Sequence, residues 1–170
     1  KASENSFFHF LENAGVIDID TSKHILQQAN VLGVSPIELA LQNKDLEENN
    51  VVEILAKRLI IPRIKLDQSI IAEPKALEFV SQYTAILNNC IPLQIIKDSS
   101  KVDKLILVVF NPFSDIIKNI EKDSKVKVIS KISTRTEILE AIKRNYNKKT
   151  GDKKDSTVMS NLFSALSFSE

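Results

Sequence analysis

Two histidines and one cysteine are the residues of this sequence best suited to metal or nucleophilic chemistry. His9 and His24 have no cysteine or histidine at the spacing of a metal-ligand set, so the sequence predicts no metal site. Cys90 precedes an apolar run and has no histidine nearby, which favours a buried structural thiol over a nucleophile. We therefore expect neither metal-dependent nor thiol-dependent catalysis.

Phosphate-binding loops and paired carboxylates would be the other sources of activity. The three glycines of the chain are too widely separated to form a G-x-x-x-x-G-K-[ST] or a G-x-G-x-x-G loop. Asp98, Asp103 and Asp115 flank predicted strand ends, yet turn formation and helix capping account for acidic residues there. The sequence thus offers no catalytic residue and no cofactor-binding residue, and we predict that these 170 residues are not an enzyme.

The balance of charge argues against a nucleic-acid partner. The 23 lysines and arginines are matched by 22 aspartates and glutamates, a net charge of +1, so no long-range field attracts an anionic polymer. A single cysteine favours a reducing compartment, and the apolar runs are far shorter than the ~20 residues that span a bilayer. We expect a cytoplasmic protein without membrane insertion. Because the sequence begins at Lys1, we expect it to belong to a longer chain.

Residues 1–60 show the periodicity of a helical lobe with four short helices. Apolar residues recur at three- and four-residue intervals, and short joints separate the runs. Asp20–Ser22 are the expected N-caps of the second helix, and Ser35 with Glu38 forms a capping box for the third. The predicted buried stripes are Phe7, Phe8, Phe10, Leu11 and Ala14, then Ile25, Leu26, Ala29 and Leu32, then Ile37, Ala40 and Leu41, then Val51, Val52, Leu55 and Leu59.

Residues 61–147 alternate strand and helix signals, which predicts a mixed α/β lobe of the same domain. An extended connector over 60–71 leads into one helix over 74–85. Two more helices follow Ser114-Asp115 and the capping box Thr134–Glu137. Three strands are predicted, over 91–95, 105–110 and 126–128. The first begins at a sheet edge because of Pro92, and the second is the central strand.

Residues 148–170 have the composition of a linker and tail. The stretch up to Ser156 is polar and rich in lysine, and apolar residues then recur at helical spacing. This last segment is a candidate for docking on a partner, on its own domain or on a neighbouring domain. The predicted fold class is therefore α+β: about four short helices, a small three-stranded sheet with helices packed on it, and a flexible C-terminal tail. The candidate partner-binding residues are Val158, Met159, Leu162, Phe163 and Leu166.

Five stretches follow one another in the order known from one protein family. They are FLENAGVI at 10–17, the run SPIELALQNKDLEENNVVEILAKRLIIP at 35–62, ALEFVSQYTAILNNCIPLQI at 76–95, LILVVFNPFSDIIKNI at 105–120, and VKVISKISTRTEILEAIKRNY up to residue 146. In this order and spacing the chain resembles the N-terminal domain of type II secretion and type IV pilus assembly ATPases, the general secretory pathway protein E family. The likeness covers roughly residues 6–147.

The resemblance implies a docking and regulatory role. Such domains bind the cytoplasmic domain of an inner-membrane secretion or pilus protein, and a linker joins them to the ATPase core. By this resemblance the chain would lie at the inner membrane through its partner, and it would not hydrolyse ATP because the core is absent from these residues. The alternative is a module that senses a cyclic dinucleotide or another nucleotide.

One branch of that family binds a cyclic dinucleotide through a tandem motif that begins R-L-G. The corresponding positions here are Ser6, Phe7 and Phe8, and in the second copy Pro36 and Ile37. The arginine and both glycines of the motif are missing, which removes a charge-assisted contact and places bulky side chains where the backbone would approach the ligand. We therefore predict weak or no binding of a cyclic dinucleotide.

Overall fold

The structure, a computed structural model, describes residues 2–146. This part of the chain forms eight helices and a three-stranded mixed sheet, which confirms the predicted α+β class. The predicted linker and tail lie outside the described residues. The helices are α1 (Ala2–Asn13), α2 (Ile19–Leu32), α3 (Pro36–Gln42), α4 (Glu48–Leu59), α5 (Pro74–Leu77), α6 (Gln82–Leu87), α7 (Ile116–Ser124) and α8 (Arg135–Tyr146), and the strands are β1 (Cys90–Ile96), β2 (Lys104–Val109) and β3 (Lys127–Ile132).

The sheet has the order β1-β2-β3, with β2 in the centre as predicted. Strand β1 pairs with β2 in antiparallel register, from Cys90 opposite Val109 to Ile96 opposite Lys104. Strand β3 runs parallel to β2. The uninterrupted apolar sequence of β2 matches its position, because both of its faces are covered. Pro92 lies in an edge strand, next to an irregularity in the β1–β2 register.

The outer edge of β1 is covered by the residue that precedes α5. The Glu73 amide donates a 2.8 Å hydrogen bond to the Leu93 carbonyl. The Glu73 carboxylate in turn accepts a 3.1 Å hydrogen bond from the Ile95 amide. One residue therefore satisfies a donor and an acceptor that an edge strand would otherwise leave open.

The predicted single helix over 74–85 is wrong, because the chain forms two short helices there. Ser81 has extended backbone angles, φ −64° and ψ 155°, and its hydroxyl accepts a 3.2 Å hydrogen bond from the Thr84 amide. Serine competes in this way with the intrahelical bonds, so it starts α6 instead of continuing α5. The predicted inner face is nevertheless buried, since Ala76, Leu77 and Val80 all lie in the core.

Helix α2 begins earlier than predicted. Its N-cap is Asp18 and not one of the residues Asp20–Ser22, because the Asp18 carboxylate accepts 2.8 Å hydrogen bonds from the amide and the hydroxyl of Thr21. These hydrogen bonds lower the pKa of Asp18. The helix ends at Gly33, whose left-handed conformation (φ 68°) suits a residue without Cβ.

Helix α1 packs against the end of the central strand through phenylalanine side chains. The ring centroids of Phe7 and Phe110 are 5.7 Å apart, and those of Phe10 and Phe113 are 5.6 Å apart. Phe7, Phe8 and Phe110 are fully buried. The N-terminal helices and the sheet therefore share one hydrophobic core, and the division into lobes 1–60 and 61–147 stays a prediction.

Candidate functional site

A buried polar junction links α3 to the first turn of α8. Nη2 of Arg135 lies 2.5 Å from Oε2 of Glu38, and the Asn89 side-chain amide donates a 3.1 Å hydrogen bond to Oε1 of the same carboxylate. The predicted capping box of α3 is thus only half formed. Ser35 accepts a 3.4 Å hydrogen bond from the Glu38 amide, but the Glu38 side chain turns towards the sheet.

A second carboxylate from the N-terminal helices holds the same end of α8. Glu48 accepts 2.7 Å hydrogen bonds from the amide and the hydroxyl of Thr136. A carboxylate at this position also interacts favourably with the positive end of the helix dipole. The predicted capping box of α8 is also half formed. The Thr134 hydroxyl accepts a 3.2 Å hydrogen bond from the Glu137 amide, but the Glu137 carboxylate bonds to the Thr134 hydroxyl, at 2.9 Å, and not to its backbone amide.

Cys90 is the buried thiol that the sequence predicts. Its side chain is free and fully enclosed, and burial raises its pKa to about 12. A thiol with so high a pKa carries almost no thiolate at neutral pH, and the thiolate is the nucleophilic form. Cys90 therefore contributes packing and not chemistry.

Two of the three aspartates at strand ends form ion pairs, and the capping bond expected of the third, Asp115, is not formed. Lys104 contacts Asp98 at 3.0 Å, and Lys97 contacts Asp103 at 3.5 Å, so both pairs lie around the β1–β2 loop. Asp115 precedes α7 without a side-chain capping bond.

Both histidines are exposed. Between residues 2 and 146 no group of three or more histidine, cysteine or acidic side chains is arranged to hold a metal ion.

The C-terminal end of α2 exposes apolar side chains where the sequence predicts a buried one. Leu32 is 57 % exposed instead of buried, and it lies between Val31, 84 % exposed, and Val34, 48 % exposed. We call these three residues the α2 surface. The run Val31-Leu32-Gly33-Val34 marks it in the sequence, because it continues the apolar composition of α2 through and beyond the C-cap Gly33.

A second apolar face lies on α6. Tyr83 and Leu87 are 52 % and 57 % exposed, and their four-residue spacing places them on one side of the helix. The other side of α6 buries Ala85 and Ile86 against the core. The predicted single helix over 74–85 does not indicate this face. The break at Ser81 changes which of the following residues point outwards.

Of the positions that correspond to the R-L-G motif, the two phenylalanines and Ile37 are buried, whereas Ser6 is exposed. Phe8 is fully buried and Ile37 is almost fully buried, so both side chains belong to the core. The Ser6 hydroxyl donates a 3.2 Å hydrogen bond within its own helix, to the Ala2 carbonyl.

The other predicted candidates, Val158, Met159, Leu162, Phe163 and Leu166, lie outside the described residues. Among the described helices, none is long and apolar enough to cross a membrane.

The fold is similar to those of solved structures. The N-terminal domain of XpsE superposes with a TM-score of 0.64 at 16 % identity, covering 84 % of this chain and 95 % of that domain. A second crystal form gives a TM-score of 0.56 at 19 % identity, covering 86 % and 97 %. MshE, solved with cdg, gives 0.54 at 15 % identity, covering 82 % and 98 %.

The chain has the fold of the N-terminal domain of XpsE. XpsE and MshE are type II secretion and type IV pilus ATPases, so the resemblance seen in the sequence is confirmed for the fold. No protein-family model matches the sequence, and no curated protein sequence matches it. The likeness therefore lies in the order and packing of the elements.

Proposed function

We propose that this domain docks a secretion or pilus assembly ATPase onto the cytoplasmic domain of an inner-membrane protein of the same machine. The observation that carries the proposal is the α2 surface, on a fold shared with the N-terminal domain of XpsE. Single exposed apolar residues are ordinary, but a cluster of them favours a protein contact. Its aliphatic side chains suit an apolar helix face of the partner.

The domain acts in this proposal without hydrolysing ATP. Its sequence has no phosphate-binding loop, and the carboxylates of Glu38 and Glu48 hold α3 and α4 to α8. Hydrolysis would belong to an ATPase core elsewhere in the full-length protein. The role of the domain would then be to hold that core at the inner membrane through the partner.

A binding experiment with the partner's cytoplasmic domain tests this role. Val31→Lys and Leu32→Lys remove the apolar contact, and lysine in the last turn of a helix is favourable to its dipole, so the fold is retained. Burying one such side chain contributes about 1.5–3 kcal/mol, so each substitution should weaken binding about tenfold or more.

Val102→Lys is the matched control. Val102 is also exposed, but it lies in the β1–β2 loop, at the opposite end of β2 from the N-terminal helices. Binding should be unchanged in this variant. If the folded domain binds no inner-membrane component of such a machine, or if all three variants bind alike, the proposed role is wrong.

Binding of cdg, seen in the MshE structure, defines the alternative role. The burial of Phe8 and Ile37 supports our expectation that this chain does not bind it. A thermal shift experiment distinguishes the two roles, because ligand at ~100 times its dissociation constant adds about 2.7 kcal/mol to stability. An increase in melting temperature with cdg would favour the sensing role.

A further inference from the structure

The last turn of α8 is fixed to the rest of the domain by two buried hydrogen bonds. The Tyr146 hydroxyl donates a 2.7 Å hydrogen bond to the Val80 carbonyl. The neighbouring Asn145 side-chain oxygen accepts a 3.0 Å hydrogen bond from the Ala72 amide. The chain therefore leaves the described part of the fold next to the turn between α5 and α6.

The exposed face of α6 lies close to this exit point. Val80 is three residues before Tyr83, and a six-residue helix is about 9 Å long. Tyr83 and Leu87 therefore lie near the Tyr146 hydroxyl, within about the length of one short helix. Both side chains are more than half exposed, although α6 itself packs on α8 and β1.

The sequence after Tyr146 supplies an apolar segment of matching size. Residues 147–156 contain no apolar side chain, and ten residues have a mean end-to-end distance of about 17 Å in a flexible chain. The following apolar residues recur at helical spacing, but a helix of this length is marginal in water without a surface to pack on. The residues of that apolar stripe are Val158, Met159, Leu162, Phe163 and Leu166.

We propose that residues 157–167 pack as an amphipathic helix on the Tyr83–Leu87 face of the same molecule. The distance from the exit point to this face is shorter than the linker can span. A short tether gives the segment a millimolar effective concentration at that face, which no separate partner reaches. Leu162 and Phe163 would cover the aliphatic and aromatic side chains of α6.

A spin label on the segment tests this contact in the full chain. Cys90 is fully buried and its thiol is protonated, so Ser164→Cys introduces the one reactive thiol, on the polar side of the segment. Paramagnetic broadening of backbone amide signals then reports which face the segment touches. We expect the amides of Tyr83–Leu87 to lose most of their intensity, while those of the β1–β2 loop retain theirs.

Two matched variants make the result specific. Leu87→Asp in α6, and Leu162→Asp with Phe163→Asp in the segment, should each restore the α6 signals, because a buried carboxylate in an apolar contact is unfavourable. Broadening spread evenly over the domain, or centred on the α2 surface, would overturn the proposal. So would broadening that disappears on dilution with unlabelled protein, since the contact would then be between two copies. The experiment contains no partner protein, so its outcome is independent of the proposed docking role.

Discussion

Nη2 of Arg135 lies 2.5 Å from Oε2 of Glu38, and this ion pair joins helices that are far apart in sequence. The Arg135 side chain is almost fully buried, whereas Glu38 keeps about a fifth of its surface exposed. Asn89 bonds to the same carboxylate from the start of β1. One carboxylate therefore fixes α3 against both the sheet and α8.

Removing the cation of this pair should destabilise the domain. Arg135→Met leaves the Glu38 carboxylate partly buried without its counter-charge, and the loss of one partner of such a pair costs about 3 kcal/mol. Urea denaturation of both proteins measures the difference. Lys97→Met is the control, because its ion pair with Asp103 is exposed and should contribute less than about 1 kcal/mol. Equal effects of the two substitutions would contradict a special role for the junction.

Replacing Ile60 with glycine should stabilise the domain. Ile60 ends α4 in the left-handed conformation, φ 54° and ψ 44°, where a β-branched residue is strained. Its side chain is 89 % exposed, so little packing is lost on removal. We expect Ile60→Gly to raise the free energy of unfolding by about 1 kcal/mol, measured by urea denaturation. Ile71→Gly is the comparison: it also removes an exposed isoleucine, but no strain, and should give no gain.

The thiol of Cys90 should be unreactive in the folded protein. Burial removes access to the sulfur and raises its pKa to about 12, so thiolate is nearly absent at pH 8. Ellman's reagent should detect no fast-reacting thiol in native protein and one thiol per chain in denaturant. Immediate reaction of the native protein would show that the sulfur is accessible.

The stabilising effect of Asp98 should depend on pH. The hydrogen bond from Lys104 lowers the pKa of Asp98 to about 2, from 3.8. A pKa that is lower in the folded state means that the ionised form favours folding, so the stabilisation is complete above about pH 4–5 and disappears as pH falls towards 2. Wild type and Asp98→Asn should therefore differ in free energy of unfolding at pH 7 and converge near pH 2. Lys104→Met should reduce this pH dependence without abolishing it, because Ser100 also donates to Asp98. A difference between wild type and Asp98→Asn that is as large at pH 2 as at pH 7 would contradict this assignment.

Short-range signals in the sequence predict the elements well. Thr134 and Glu137 lie three residues apart, and the predicted bond from the Glu137 amide to the Thr134 hydroxyl forms. The apolar run of β2 predicts a central strand, and Pro92 predicts an edge. These features depend on backbone geometry within one turn or one strand, so the local sequence contains the information they need.

The local sequence contains the caps Asp18 and Ser81, which the predictions miss, and long-range contacts explain the other differences. Glu38 fits a local capping box, but its partners are Asn89 and Arg135, which only the folded chain brings near. Leu32 lies at the correct spacing for burial, yet no element within residues 2–146 covers it. Periodicity shows which residues share a helix face, but not whether another element packs on that face. The exposure of the α2 surface could therefore not be predicted from periodicity.

Glu73 also limits how copies of this domain can meet. An open edge strand is a template on which a second chain can add and start edge-to-edge aggregation. Here the Leu93 carbonyl and the Ile95 amide are already bonded to Glu73. Copies of this domain at high concentration would therefore be prevented from joining their sheets through this part of β1.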